Sequence, residues 1–279
     1  MNDLKVRANG LDFHLVDYGG SGEVVFCVHG LTANSRFWDA VALALTTSYR
    51  VIAIDLRGRG DSCKPEEGYS LDEHAKDLNT VLEVLSIDRV IFMGHSLGAI
   101  IGCCFAANYK EKVSHLILVD GGADFEPLVI DLLQSSLDRL DRIFPSLEDY
   151  LQFMRKSPFF SDWNRYVEQY FLADVMELEE GSVRSKVTRN VVAQELQALQ
   201  EVSINRFHEH IRVPILILWA PQCLLHPTAY LITKEKGEEL AGRHPFSRFS
   251  EITGSNHFSI VFSKHEALVR EVKEFLSFP

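Results

Sequence analysis

The sequence predicts an α/β protein built on a mostly parallel sheet, and three observations carry that expectation. Short apolar runs recur along the chain with helix-like stretches between them, as parallel strands joined by crossover helices require. At one junction, Arg89-Val90-Ile91-Phe92-Met93 leads into Gly94-His95-Ser96-Leu97-Gly98 and then into the small apolar stretch Ala99 to Asn108. That junction reads as a buried strand, a sharp turn and a helix packed on the sheet. Between Asp124 and Arg212, finally, the pattern is helical with little that reads as sheet strand. A chain of 279 residues with 46% apolar content suits one large domain with an insertion and a substantial core.

The elements follow in order. Leu4 to Ala8 and Leu11 to Val16, separated by Asn9-Gly10, read as an N-terminal hairpin. Val24 to Val28, Arg50 to Ile54, Arg89 to Met93 and His115 to Val119 read as buried strands, with Ile215 to Trp219 and Arg248 to Ile252 completing the set. Ser70-Leu71-Asp72-Glu73 is a capping box, after which Leu71, Ala75, Leu78, Leu82 and Leu85 form one apolar stripe. Leu268, Val269, Val272, Phe275 and Leu276 form another at the C-terminus. In the insertion, Leu128, Leu132, Leu133, Leu137 and Leu140 keep helical spacing until Pro145. Trp163, Tyr166, Val167, Tyr170 and Phe171 make a second stripe, and Val191 to Val202 a third helix. The expected division is a core of residues 1–123 and 213–279 with a helical cap of 124–212 over the C-terminal edge of the sheet, where open α/β sheets bind ligands.

Composition excludes several classes. A formal charge of −11 argues against nucleic acid and against an anionic membrane surface as partners. No apolar stretch approaches the ~20 residues of a membrane span, and Met1-Asn2-Asp3-Leu4-Lys5 lacks the apolar core of a signal peptide. The five cysteines, Cys27, Cys63, Cys103, Cys104 and Cys223, lack metal-ligand spacing. They read as thiols of a reducing compartment, with the cytoplasm expected. No coiled-coil or edge-strand signal indicates an oligomeric state.

Strand, G-x-S-x-G, helix is the pattern of a nucleophile elbow, which exposes a serine hydroxyl at a turn that only small flanking residues allow. Such a hydroxyl needs a base and donors for an oxyanion. Among eleven histidines, His257 in Gly254-Ser255-Asn256-His257 is the best placed base, on the loop between the last strand and the C-terminal helix. The oxyanion donors expected are the amide of Leu97, at the helix N-terminus, and that of Leu31, in His29-Gly30-Leu31-Thr32 after the third strand. His29 and His95 are read as loop-shaping residues, and His208 and His210 as solvated surface in preference to a metal pair.

Val28-His29-Gly30-Leu31, Asp55-Leu56-Arg57-Gly58-Arg59-Gly60-Asp61-Ser62, Gly94-His95-Ser96-Leu97-Gly98 and Gly254-Ser255-Asn256-His257 stand in the order of the α/β-hydrolase family, which the chain resembles over essentially all its length outside the cap. The resemblance implies an α/β-hydrolase fold, a mostly parallel eight-stranded sheet flanked by helices with a helical cap, and a serine nucleophile needing no metal or organic cofactor. It gives Asp55 no catalytic role. One departure stands out. Family members commonly carry the triad acid a few residues after the strand that follows the cap, and Cys223 occupies that place in Trp219-Ala220-Pro221-Gln222-Cys223-Leu224-Leu225-His226. No Asp or Glu occurs from Val213 through Lys234, and a thiol of ordinary pKa near ~8.5 is a poor anionic orienter. Either the acid has moved or the chain is a degraded hydrolase with no working acid. Some members place the acid after the strand preceding the cap, which makes Asp120 of Leu118-Val119-Asp120-Gly121-Gly122 the expected acid, with Asp124 second.

These residues imply hydrolysis of a small, soluble ester or lactone by Ser96, His257 and Asp120. Aromatic residues near the oxyanion loop and in the cap, Trp38, Phe159 and Trp163 among them, are expected against the substrate. Two further readings share the residues: a ligand receptor or signalling module of the same fold, and a cofactor-free oxygenase working with a His/Asp dyad.

Overall fold

The computed structural model describes residues 1–124, 129, 136–223 and 230–277. Its centre is an eight-stranded sheet in the order β1-β2-β4-β3-β5-β6-β9-β10. The strands are β1 (Asn2–Ala8), β2 (Leu11–Gly19), β3 (Val24–Val28), β4 (Arg50–Ile54), β5 (Val90–His95), β6 (Val113–Val119), β9 (Ile215–Trp219) and β10 (Arg248–Glu251). β1 pairs antiparallel with β2 and β2 antiparallel with β4, and all later pairings are parallel. Asn9 and Gly10 turn the first hairpin with φ of 47° and 76°, the doubly left-handed geometry that a two-residue loop demands and that Asn-Gly supplies at least cost.

Every residue of β5 is buried, as expected of a strand covered on both faces. Its neighbour β3 shows how the sheet divides two cores. Phe26 and Val28 enter a cluster with α2 (Leu71–Val84) and α3 (Leu97–Asn108), whereas Val25 and Cys27 enter one with α1 (Asp39–Leu45) and the C-terminal helix His265–Ser277. Ser70 caps α2 by accepting the Glu73 amide, as the capping box predicts. α3 is apolar on all sides because it lies wholly inside; residues Leu97 through Ala107 are all buried.

The described elements between β6 and β9 are 3₁₀ turns at Ser136–Arg139, Pro158–Phe160 and Glu179–Gly181, α4 (Leu147–Arg155), α5 (Arg165–Asp174), β7 (Val175–Glu177), β8 (Val183–Ser185), α6 (Arg189–Gln200) and α7 (Asn205–His208). Tyr150, Tyr170 and Phe171 join the core on one face of the sheet, and Val192, Leu196 and Ile204 the core on the other. The insertion therefore straddles the sheet edge. β7 and β8 form a small antiparallel hairpin that the helical reading of this stretch did not anticipate. Each has only three residues, too few for a period-2 pattern to show. Of the predicted stripe over 128–140, Leu128, Leu132 and Leu133 lie outside the described residues. Leu137 and Leu140 are buried, the first within the 3₁₀ turn and the second just after it. After β9 come α8 (Lys234–Arg243), α9 (Ser259–Phe262) and α10 (His265–Ser277).

Candidate active site

Three strand ends converge at the C-terminal edge of the sheet. Ser96 stands between β5 and α3 with φ 54° and ψ −118°, a conformation a non-glycine residue holds only under the constraint of its surroundings. The flanking glycines are a steric necessity. A Cβ on Gly94 would stand 2.2 Å from the Gly98 carbonyl oxygen, and one on Gly98 would stand 2.1 Å from the Val28 carbonyl oxygen. Strand, turn and helix thus pass closer than any side chain permits. The Ser96 amide donates to the Val119 carbonyl of β6, which ties the turn to the neighbouring strand (3.1 Å). Leu97 is the first residue of α3, so its amide has no partner within the helix and points out at the N-terminus.

Asp120 follows β6 in a left-handed conformation of its own (φ 46°). Its amide donates to the Leu218 carbonyl (2.8 Å) and its Oδ1 accepts the Ala220 amide (3.1 Å), which leaves Oδ2 to accept from His257 Nδ1 at 2.7 Å. The next residue presses on the elbow, since a Cβ on Gly121 would lie 2.9 Å from the Ser96 carbonyl oxygen. Asp-Gly-Gly is therefore a second tight turn meshed with the first.

His257 is nearly buried, on a loop locked by its neighbours. Asn256 Oδ1 accepts the amides of Phe258 and Ser259, and Ser255 Oγ donates to the Ile252 carbonyl. His95 braces the loop from below. Its ring lies 4.3 Å from that of His257 and 4.5 Å from Phe37, and its Nε2 meets the His257 carbonyl at 2.8 Å. A carbonyl only accepts, so Nε2 carries the proton, and burial holds the His95 ring well below the usual histidine pKa and neutral. A carboxylate likewise only accepts, so His257 Nδ1 carries a proton.

The loop 29–34 completes the arrangement. The Gly30 carbonyl accepts from His29 Nδ1 (2.8 Å) and from the Ala33 amide (3.2 Å), which fixes the peptide plane whose other side carries the Leu31 amide. His29 Nε2 in turn accepts the Leu56 amide (3.1 Å), and burial lowers this ring to about 4, so it is neutral. A Cβ at Gly30 would come within 3.2 Å of Ser96 Cβ, which brings this loop against the elbow.

Other expected residues fall elsewhere. Asp124 does not face His257: its carboxylate accepts the amides of Ile204 and Asn205 and bonds Ser203 Oγ, closing the start of α7. Trp38 corrects the expectation of a substrate contact, because its side chain is fully buried against Phe37 in the core and has no surface to offer. Trp163 stacks on Phe171 at 5.5 Å, with Arg155 over its face and its Nε1 donating to Glu168, all within the insertion. Phe159 lines a cavity of about 250 Å³ with Gln222, Asn256 and Phe262, beside the loop that carries His257. His208 departs from the expected solvated surface. It is buried, its Nε2 donates to the Gly122 carbonyl at 2.7 Å, and burial lowers its pKa to about 4; His210 is exposed. Cys223 is half-exposed, and Leu224 to His226 lie outside the described residues.

Residues 23–222 match the model of the alpha/beta hydrolase fold family, and the chain belongs to that family. Among solved structures, that of E-2-(acetamidomethylene)succinate hydrolase aligns with a TM-score of 0.86 at 20% identity, over 99% of this chain and 98% of that one. The enol-lactonase from Burkholderia xenovorans LB400 aligns with a TM-score of 0.75 at 21% identity, over 98% and 100% of the two chains. At such identities the likeness is one of fold. Among curated relatives, the 2-(acetamidomethylene)succinate hydrolase of Mesorhizobium japonicum is 31% identical over 129 residues, 46% of each chain. The chain matches 30% to 46% of the length of the first such relatives. Among the described residues no helix is long and apolar enough to cross a membrane.

Proposed function

We propose that this protein is a serine hydrolase that cleaves a small ester or lactone by two-step acyl transfer. The observation that carries the reading is the 2.7 Å bond from His257 Nδ1 to Asp120 Oδ2, formed across 137 residues of sequence beside a serine held at left-handed φ. In this reading Ser96 Oγ attacks the substrate carbonyl carbon as His257 Nε2 removes its proton. The amides of Leu97 and Leu31 receive the oxyanion, and Asp120 stabilises the imidazolium. The imidazolium then protonates the departing alkoxide, which leaves as alcohol (for a lactone it stays tethered to the acyl group). Water, deprotonated by His257, attacks the acyl-enzyme and releases the acid. The names of similar proteins support carboxylic-acid derivatives as the substrate class: an enol-lactonase, a 3-hydroxybutyrate-oligomer hydrolase and an N-formylmaleamate deformylase. Five cysteines with no disulfide among them favour the cytoplasm as the place of work.

The test is hydrolysis of p-nitrophenyl acetate and butyrate by the wild type and Ser96→Ala, with active-site labelling by a fluorophosphonate in parallel. Turnover and a label on Ser96, both lost in Ser96→Ala, are expected. Equal turnover by the two proteins contradicts the reading. Dioxygen-dependent turnover would favour the oxygenase, and tight ligand retention without turnover the receptor.

A further inference from the structure

Two buried arginines that the proposed chemistry does not use reach the oxyanion loop. Arg59, fully buried in the turn after β4, divides its guanidinium among three partners. Nε donates to the Leu31 carbonyl (3.0 Å), Nη1 donates to the Arg57 carbonyl (3.0 Å), and Nη2 lies 2.9 Å from Glu195 Oε2. Glu195 is itself fully buried on α6 of the insertion, where His74 Nε2 of α2 meets its two oxygens at 2.9 and 3.1 Å. Burial pushes this carboxyl up, but His74 and Arg59 outweigh that and hold it below its ordinary value. Arg139, from the insertion, does the same one residue further along. Its Nη2 donates to the Thr32 carbonyl (3.0 Å) and its Nη1 to Asp174 Oδ2 (2.7 Å) and Ser185 Oγ (3.0 Å), while the Tyr150 hydroxyl also donates to Asp174.

Stability alone is a weak reason for two such pairs, since desolvation offsets much of the attraction between buried charges. A guanidinium is well suited to another task, because its planar fork holds several acceptors in one fixed relation. Here the forks grip consecutive carbonyls of the loop beside the elbow. A carbonyl held on one side of a peptide plane sets the amide on the other side. Arg139 on the Thr32 carbonyl sets the Ala33 amide, which donates to the Gly30 carbonyl at 3.2 Å, and that carbonyl's plane carries the Leu31 amide. Arg59 holds the carbonyl of Leu31 itself, whose plane carries the Thr32 amide, so the peptide planes on both sides of the Leu31 Cα are fixed.

We infer that Arg59–Glu195 and Arg139–Asp174 are positioning pairs through which the insertion sets the aim of the Leu31 amide, so that the cap is a structural part of the oxyanion hole. The inference rests on the acyl-transfer reading, and its test separates the two. Arg59→Met with Glu195→Met removes both charges at similar volume. Arg59→Lys keeps a charge opposite Glu195 but loses the fork, and serves if the paired variant does not fold. Arg248→Met with Glu271→Gln is the control: that ion pair (2.9 Å) joins β10 to α10 and touches none of the loop carbonyls.

Removing one oxyanion donor outright costs about 10²–10³ in kcat. On p-nitrophenyl butyrate the Arg59 variants are therefore expected to lose about 10–100-fold in kcat with KM changed by less than about twofold, while the control loses melting temperature and keeps kcat. Amide hydrogen exchange over residues 30–34 should quicken in the Arg59 variants and not in the control. Wild-type kcat in a folded Arg59 variant overturns the inference. Should the wild type itself hydrolyse no ester, the acyl-transfer reading fails. Exchange then decides alone: quickening over 30–34 sustains the positioning role, and unchanged exchange overturns it.

Discussion

Asp120 shows how much a single side chain can be constrained before any chemistry begins. Its backbone amide and one carboxylate oxygen are committed to Leu218 and Ala220 on β9 and just beyond it, so the remaining oxygen has one direction in which to face, toward His257. Left-handed backbone at Asp120 and at Ser96 costs on the order of 1–3 kcal/mol each, offset by the packing of the two turns against one another. Asp124, four residues on, makes a useful contrast. Its carboxylate closes α7, so Asp124→Ala should leave ester turnover within about twofold of wild type. It should cost about 1 kcal/mol of stability, the usual worth of a helix cap, seen as a melting point lower by about 2 °C. A kcat loss comparable to that of Ser96→Ala would instead return Asp124 to the site.

At the scale of elements, the close passage of β3, β5 and α3 is the feature on which the site depends. Gly98→Ala would drive a methyl group against the Val28 carbonyl, backbone meeting backbone, with no flexible side chain to yield. A loss of at least about 3 kcal/mol is expected, read as a lowered urea midpoint, and a variant as stable as wild type would refute the close approach. The larger elements were legible because each carries its own signal: Asn9-Gly10 for the hairpin, Ser70 with Glu73 for the start of α2, and unbroken apolar runs for the inner strands. The turn that carries Ser96 was legible because its glycines mark a steric need. What escaped lacks a local signature. β7 and β8 are too short to show a period, and Arg59 acts through a partner far away in sequence, Glu195. Trp38 was misread because an aromatic residue near a site in sequence can as well face the core behind it.

The whole molecule holds several histidines neutral in its interior, with consequences for its response to acid. Burial lowers His29 and His208 to about 4 and His95 well below its ordinary value. Between the lowered value and about 6.5 the unfolded chain binds protons that the folded chain refuses, so stability falls as pH drops through that window. Each such histidine contributes a slope of about 1.4 kcal/mol per pH unit there. His14 opposes the trend: its bond to Asp55 raises its pKa, and its contribution is present below about 6.5 and lost as pH rises through the raised value. His115 and His244 are lowered by burial too, so five depressed histidines against one raised predict a lower urea midpoint at pH 5 than at pH 7 at constant ionic strength. His208→Gln should flatten that dependence, and a midpoint unchanged between the two pH values would contradict the assignment of neutral buried rings.

The proposed function turns on Asp120 as the acid, and the kcat of Asp120→Asn on p-nitrophenyl butyrate, measured beside Cys223→Ser, tests it most directly. Loss of about 10⁴ in the first variant and near-wild-type turnover in the second are expected, since Asp120 meets His257 at 2.7 Å and a thiol is a poor anionic orienter. Near-wild-type turnover by Asp120→Asn would contradict a Ser96–His257–Asp120 triad.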